Sequence, residues 1–322
     1  MDPSPLLRCL RRILELRKDA RRPFAAPDQV EEPSFTSNCF NHSVKTPVSI
    51  MSLWMMLPLS LPVFMITGIW VVYAMALYNQ HVCPVNNWVY NESCEEELHL
   101  QRSPVLCCTL ENVPLISKSG TMPPESCFFS LICSTGAFMV LLIGLLRYAH
   151  VIEKHQNCLL NTAGLSTSWI CAAGLLMVGN FQVDYAKVLH YVGAGVAFPC
   201  SMLFVCLQSA LTYRLAKTQG EYRTGHLRAA MTMLALVALV LSGVFFCQES
   251  FVLQHASAIF EWVYCILLML FYGTFAFEFS DITGDTLMVL SKGAKEQNFD
   301  ISDHKTEVRG VNHHQPETLA ML

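Results

Sequence analysis

Five polar or ionisable residues stand where an apolar chain seldom keeps them. Asn180, Gln182, Asp184 and His190 interrupt the stretch GNFQVDYAKVLHYVGAG (179–195), and Glu261 lies inside an apolar run, about one helical turn from its expected start near Ser257. Histidine titrates near neutrality, so His190 close to Asp184 and Glu261 has the chemistry of a pH sensor or of a cation path. The competing reading is architectural: an outer polar clamp, in which Asn180 and Gln182 satisfy free carbonyls at a helix end and His190 donates to Glu261 or Asp184. The residue types favour the clamp, because a carboxylate in hydrocarbon is costly unless paired or hydrated.

A second group is Cys83, Cys94, Cys107 and Cys108, with Cys127 just beyond. Cysteines clustered between apolar runs suit disulfides in an oxidising lumen, and these four allow three pairings. His81 beside Cys83 does not make a metal site, since neither CxxC nor HxxxH spacing accompanies it. Asn91-Glu92-Ser93 in the same stretch is a sequon, which makes Asn91 a glycosylation acceptor. The chain has no HExxH, GxSxG or Walker sequence and no pair of intramembrane aspartates. An enzyme is therefore not expected, and neither is a bound metal or cofactor.

The elements that must hold these residues are helices in a bilayer. Of the 322 residues, 53% are hydrophobic and 14% charged, and the mean hydropathy is +0.38. Such a composition belongs to a multi-pass membrane protein, and the net charge of -4 gives no basis for binding nucleic acid. A hydrocarbon core needs about 20 apolar residues per helix. Six windows qualify, near 53–77, 126–146, 159–178, 188–213, 227–247 and 257–277. The expected fold is an all-α membrane protein with six transmembrane helices.

Lys and Arg collect in cytoplasmic connections. Arg147 and Lys154, then Arg214, Lys217, Arg223 and Arg228, then Lys292, Lys295, Lys305 and Arg309 mark the second connection, the fourth and the tail. The first connection, 78–125, is instead rich in Glu. This pattern predicts cytosolic N- and C-termini and an extracytoplasmic first loop. Residues 51–279 then form the transmembrane domain, and 179–187 form a tight outer turn. Gly193 and Gly195 predict close helix contact, Gln208 is expected to donate an interhelical hydrogen bond, and Cys158 is a palmitoylation candidate.

The two ends differ from this core. Residues 1–50 form a basic extension, in which LLRCLRRILELRKDARR has the spacing of an amphipathic helix. It reads as an inner-leaflet contact, as an organelle presequence or as a segment translated from an upstream start, the last because MSLWMMLPLSLP from Met51 has the form of a multispan beginning. Residues 280–322 form a polar tail, too poor in apolar residues to fold alone. TLMVL (286–290) and PETLAML (316–322) are its candidate docking peptides.

Several stretches in order carry a family resemblance: ITGIWVVYAMA (66–76), HVCPVNNWVYNESC (81–94), CCTLENVPLISKSG (107–120), PPESCFFSLI (123–132), GNFQVD (179–184), LHYVGAGVAFP (189–199), LVLSGVFF (239–246) and FYGTFAFEF (271–279). From Met51 almost to the C-terminus the chain resembles the damage-regulated autophagy modulator (DRAM)/transmembrane-protein-150 family, relatives of fungal suppressors of phosphatidylinositol 4-kinase mutants. The resemblance implies a non-enzymatic plasma-membrane protein that controls where phosphatidylinositol 4-kinase type III alpha assembles, and hence phosphatidylinositol 4-phosphate synthesis. It also implies that the tail reaches the kinase and its scaffold and adaptor subunits. A channel subunit and a lysosomal or endosomal autophagy modulator are the alternatives suggested by other branches. Membrane lipids are the remaining expected contact.

Overall fold

The computed structural model describes residues 53–88, 108–154 and 158–280, together with 282, 286 and 288. Asn91, Cys94, Cys107, the N-terminal extension and most of the tail lie outside the described residues. The elements are α1 (Leu53–Tyr78), α2 (Ile116–Ser119), α3 (Glu125–Lys154), α4 (Leu159–Asn180), α5 (Lys187–Leu215), α6 (Gln219–Phe246), α7 (Phe251–Gly273) and α8 (Ala276–Phe279), with a 3-10 turn at Leu110–Asn112. Six helices are long and apolar enough to cross a membrane, the sixth being α7 continued into α8. Among the described residues there is no strand.

The helices run further than the apolar windows, and at α6 a polar cap sets the start. Thr218 and Glu221 form a capping box: the Glu221 N–H donates to Thr218 Oγ1 (3.3 Å), and the Thr218 N–H donates to Glu221 Oε2 (2.9 Å). That box starts α6 at Gln219, ahead of the apolar run expected from Leu227. At the other end of the bundle α7 begins at Phe251 instead of Ser257, so Glu261 lies about 15 Å along its helix at 1.5 Å per residue. The expectation of one turn was too shallow.

Neighbours in sequence pack as antiparallel neighbours in space, as short connections require. The connections sort the bundle into two ends. One carries the first loop and the α4–α5 and α6–α7 turns; the other carries the α3–α4 and α5–α6 connections, the start of α1 and the root of the tail. Between them the core is aliphatic and aromatic, with Leu61, Ile143, Phe204, Leu211 and Phe275 fully buried and Phe204 stacked on Tyr272. Glycine decides one contact: a Cβ on Gly174 would lie 2.7 Å from the Ala197 backbone nitrogen and 2.8 Å from the Gly193 carbonyl oxygen, so α4 and α5 touch backbone to backbone there. Gly195 is not part of that contact, because a Cβ on it would meet nothing within 4 Å. The close approach expected at both residues therefore occurs at Gly193 alone, since Gly195 lies on another face of α5.

The first loop folds down onto the bundle. Cys83 and Cys108 are joined by a disulfide, and the Cys83 N–H donates to the Asn112 carbonyl at 2.8 Å. Trp262 Nε1 donates to the Pro114 carbonyl (3.0 Å), the Val85 N–H to Tyr73 Oη (2.9 Å), and His255 Nε2 lies 2.8 Å from the Val85 carbonyl. Loop backbone is thus tied to side chains of α1 and α7. The disulfide leaves Cys83 no thiolate for a metal.

Candidate functional site

Two polar sites emerge, one at each end. At the loop end the five residues predicted from sequence are brought to one region but do not form one network. Asn180 ends α4 and ties it to α3: its Nδ2 donates to Ser134 Oγ (3.2 Å), and Ser130 Oγ donates to its Oδ1 (2.7 Å). Gln182 contributes its backbone carbonyl, which accepts from the Tyr185 and Ala186 N–H groups and shapes the turn into α5. Asp184 is paired with Lys118 of α2 at 2.7 Å, which fastens the turn to the first loop.

His190 makes neither bond expected of it. Its Nδ1 lies 2.7 Å from the Phe181 carbonyl, so the ring closes the α4–α5 hairpin and is unavailable to Asp184 or Glu261 through that nitrogen. Glu261 is buried on α7 and faces the Ile116 backbone N–H at the start of α2. Its Oε2 has no hydrogen-bond partner among the described residues. His190, Asp184 and Glu261 nevertheless line a single cleft of about 850 Å³ between the first loop, α5, α6 and α7.

The tail end holds a site that sequence reasoning missed. Arg147 of α3 and Arg228 of α6 are 2% and 0% exposed, and both bind the carboxylate of Glu278. Arg147 Nη1 meets Oε2 at 2.8 Å; Arg228 spans both oxygens, at 2.9 and 3.2 Å. Arg228 also donates from Nε to Thr274 Oγ1 (2.9 Å) and from Nη1 to Thr212 Oγ1 (2.6 Å), and Arg147 Nε donates to Gln208 Oε1 (3.2 Å). Gln208 is therefore an acceptor here, not the donor expected. Phe275 lies under both guanidinium groups, 4.5 Å from Arg228 and 5.6 Å from Arg147.

Guanidinium suits this place because its planar fork satisfies a carboxylate with two bonds and stacks on a ring. The cluster joins α3, α5, α6 and α8, and the chain leaves it as the tail. Ile282 is buried and Thr286 Oγ1 donates to Glu153 Oε2 at 3.1 Å, so these first tail residues pack on the bundle. The sequence had Arg147 and Arg228 as loop charges. The clue that would have found the site is Glu278 in FYGTFAFEF: a carboxylate in an apolar stretch, at the same end as two arginines next to apolar runs.

An all-helical bundle with six spans, a disulfide-pinned loop at one end and a buried ion cluster at the other defines a multi-pass membrane protein organised around its helix ends. Residues 53–282 match the model of the Frag1/DRAM/Sfk1/Cwh43P N-terminal domain, and the chain belongs to that family. It is 59% identical over 235 residues to Transmembrane protein 150A of Xenopus laevis, covering 73% of this chain and 87% of that protein. It is 51% identical over 272 residues to Transmembrane protein 150A of Homo sapiens, covering 84% of this chain and 100% of that protein. Modulator of macroautophagy TMEM150B-B of Xenopus laevis is 31% identical over 231 residues, covering 72% and 88%. No solved structure matches the chain. These relatives are named as transmembrane proteins and modulators, not as enzymes.

Proposed function

We propose that this chain is a plasma-membrane regulator of the phosphatidylinositol 4-kinase type III alpha complex, and so of phosphatidylinositol 4-phosphate synthesis. The tail, 280–322, meets the kinase with its scaffold and adaptor subunits, and both termini face the cytosol. The observation that carries this reading is the Arg147–Glu278–Arg228 cluster, which fixes the root of the tail to three helices. A recruiting peptide works at a defined place on the membrane when its root is held. The proposed orientation draws support from Lys154, Arg214, Lys217 and Arg223 at the tail end and from a disulfide at the other.

The test is a graft. Residues 280–322 fused to an unrelated single-span anchor retain co-purification of the kinase complex, and a scrambled tail of the same composition does not. Equal recovery with both peptides contradicts the proposal. A second reading, a modulator of autophagy at lysosomal or endosomal membranes, is favoured by the names of the TMEM150B relatives. Imaging of the endogenous protein separates the two by compartment. The cation-path alternative has less support, because Asp184 is committed to Lys118 and the core beyond Glu261 is formed by residues such as Leu268, Phe204 and Phe275. A current in reconstituted membranes that changes in Glu261→Gln would revive it.

A further inference from the structure

The cleft at the loop end is more than a space between helix ends. Its depth is marked by Glu261, whose Oε2 is buried without a partner among the described residues, and by Tyr264; its mouth carries Lys118, Asp184, Lys187 and Gln254. A buried carboxylate oxygen without a donor is expensive in a low-dielectric setting, so it points to a ligand that supplies one. The polar groups thus lie inside the bundle and under the first loop, while Leu239, Phe198 and Pro199 give part of the wall an apolar surface.

That wall opens sideways. α5 and α6 are joined near the tail end by the Ser209–Thr232 hydroxyl pair at 3.0 Å, and the last buried residue of α6 is Ala238. Beyond it the two backbones part around Gly195 and Gly243, which both line the cleft and where a Cβ would meet nothing within 4 Å, and the helices touch again nearer the loop end through the Tyr191 and Phe246 rings, 6.2 Å between centroids. The gap between them faces where the bilayer must lie, because Val192, Val240 and Val244 on the same stretches are exposed. A volume of about 850 Å³ accommodates one lipid head with the first part of its hydrocarbon.

We propose that this cleft binds one membrane lipid whose head donates a hydrogen bond to Glu261 while its hydrocarbon leaves between α5 and α6 past Gly195 and Gly243. Two lipid chemistries carry such a donor: the ammonium of an aminophospholipid, whose phosphate would lie toward Lys187 at the mouth, and the hydroxyl of a sterol. Residues 110–118 of the first loop, which follow the Cys83–Cys108 disulfide, form the roof.

The experiment uses the full chain in phosphatidylcholine nanodiscs containing either a photoactivatable phosphatidylethanolamine or a photoactivatable cholesterol, with the labelled peptides mapped by mass spectrometry. Labelling of α5 and α6 around Gly195 and Gly243 by one probe, competed by its unlabelled parent, is the expected result. Gly195→Leu and Gly243→Leu, which fill open space, should each lower that labelling at least about fivefold without lowering the unfolding temperature. Glu261→Gln keeps an acceptor but removes the charge, so it should weaken an ammonium lipid about tenfold and a sterol less than about threefold. Glu261→Leu should weaken either one. Uncompeted labelling spread over all lipid-facing helices, or labelling untouched by both leucine fillers in folded protein, would overturn the proposal.

Discussion

At the scale of residues, the charges that matter most are those that hydropathy treats as boundaries. Arg147 and Arg228 carry two positive charges against the one carboxylate of Glu278, and Phe275 covers them on the core side. Removing the carboxylate strands two buried cations, so Glu278→Ala is expected to cost about 3 to 5 kcal/mol of stability. Thermal unfolding in nanodiscs measures this, and an unchanged midpoint would mean the cluster contributes nothing. Cys83→Ser should lower stability by about 3 kcal/mol, the value for a closed loop of this size, and on a non-reducing gel the variant should migrate more slowly than the parent chain. Glu261 belongs to this scale as well: its residue type was legible as a feature needing explanation, but its depth was not, because α7 begins at Phe251, ahead of the apolar window, with no capping side chain to announce its start.

At the scale of elements, the helix pairs are unequal in how closely they approach. α4 and α5 meet backbone to backbone at Gly174 and Gly193, whereas α5 and α6 separate at Gly195 and Gly243. Gly174→Val should therefore force the hairpin apart, at a cost of about 1 to 3 kcal/mol, while Gly195→Ala should leave stability unchanged. A comparison of unfolding midpoints checks both, and equal losses would contradict the assigned contact. The six helices were legible from apolar length alone, because a bilayer fixes that length in advance. Which small residues face a partner was not, since GAG at 193–195 offers two glycines on different helix faces and a single sequence does not say which one is covered. The polar residues at 179–187 were readable as a tight turn between two helices. The pairing of Asp184 with Lys118 was not, because the partner lies on a loop helix of four residues that no apolar period announces.

At the scale of the whole molecule, the bundle has a loop end stiffened by a disulfide and a tail end stiffened by an ion cluster, with an aromatic core between. On the proposed function, the tail, rooted in that cluster, directs a lipid kinase. The packing of Ile282 and Thr286 shows where a truncation should fall: after Met288, so that the root stays whole. The most direct measurement is the rate at which plasma-membrane phosphatidylinositol 4-phosphate recovers after acute depletion, in cells expressing the full chain or residues 1–288 at equal surface levels. The full chain is expected to change the rate, and the truncated chain to leave it at the level of untransfected cells. Equal rates with both chains, whether changed or unchanged, would contradict the proposed role of the tail.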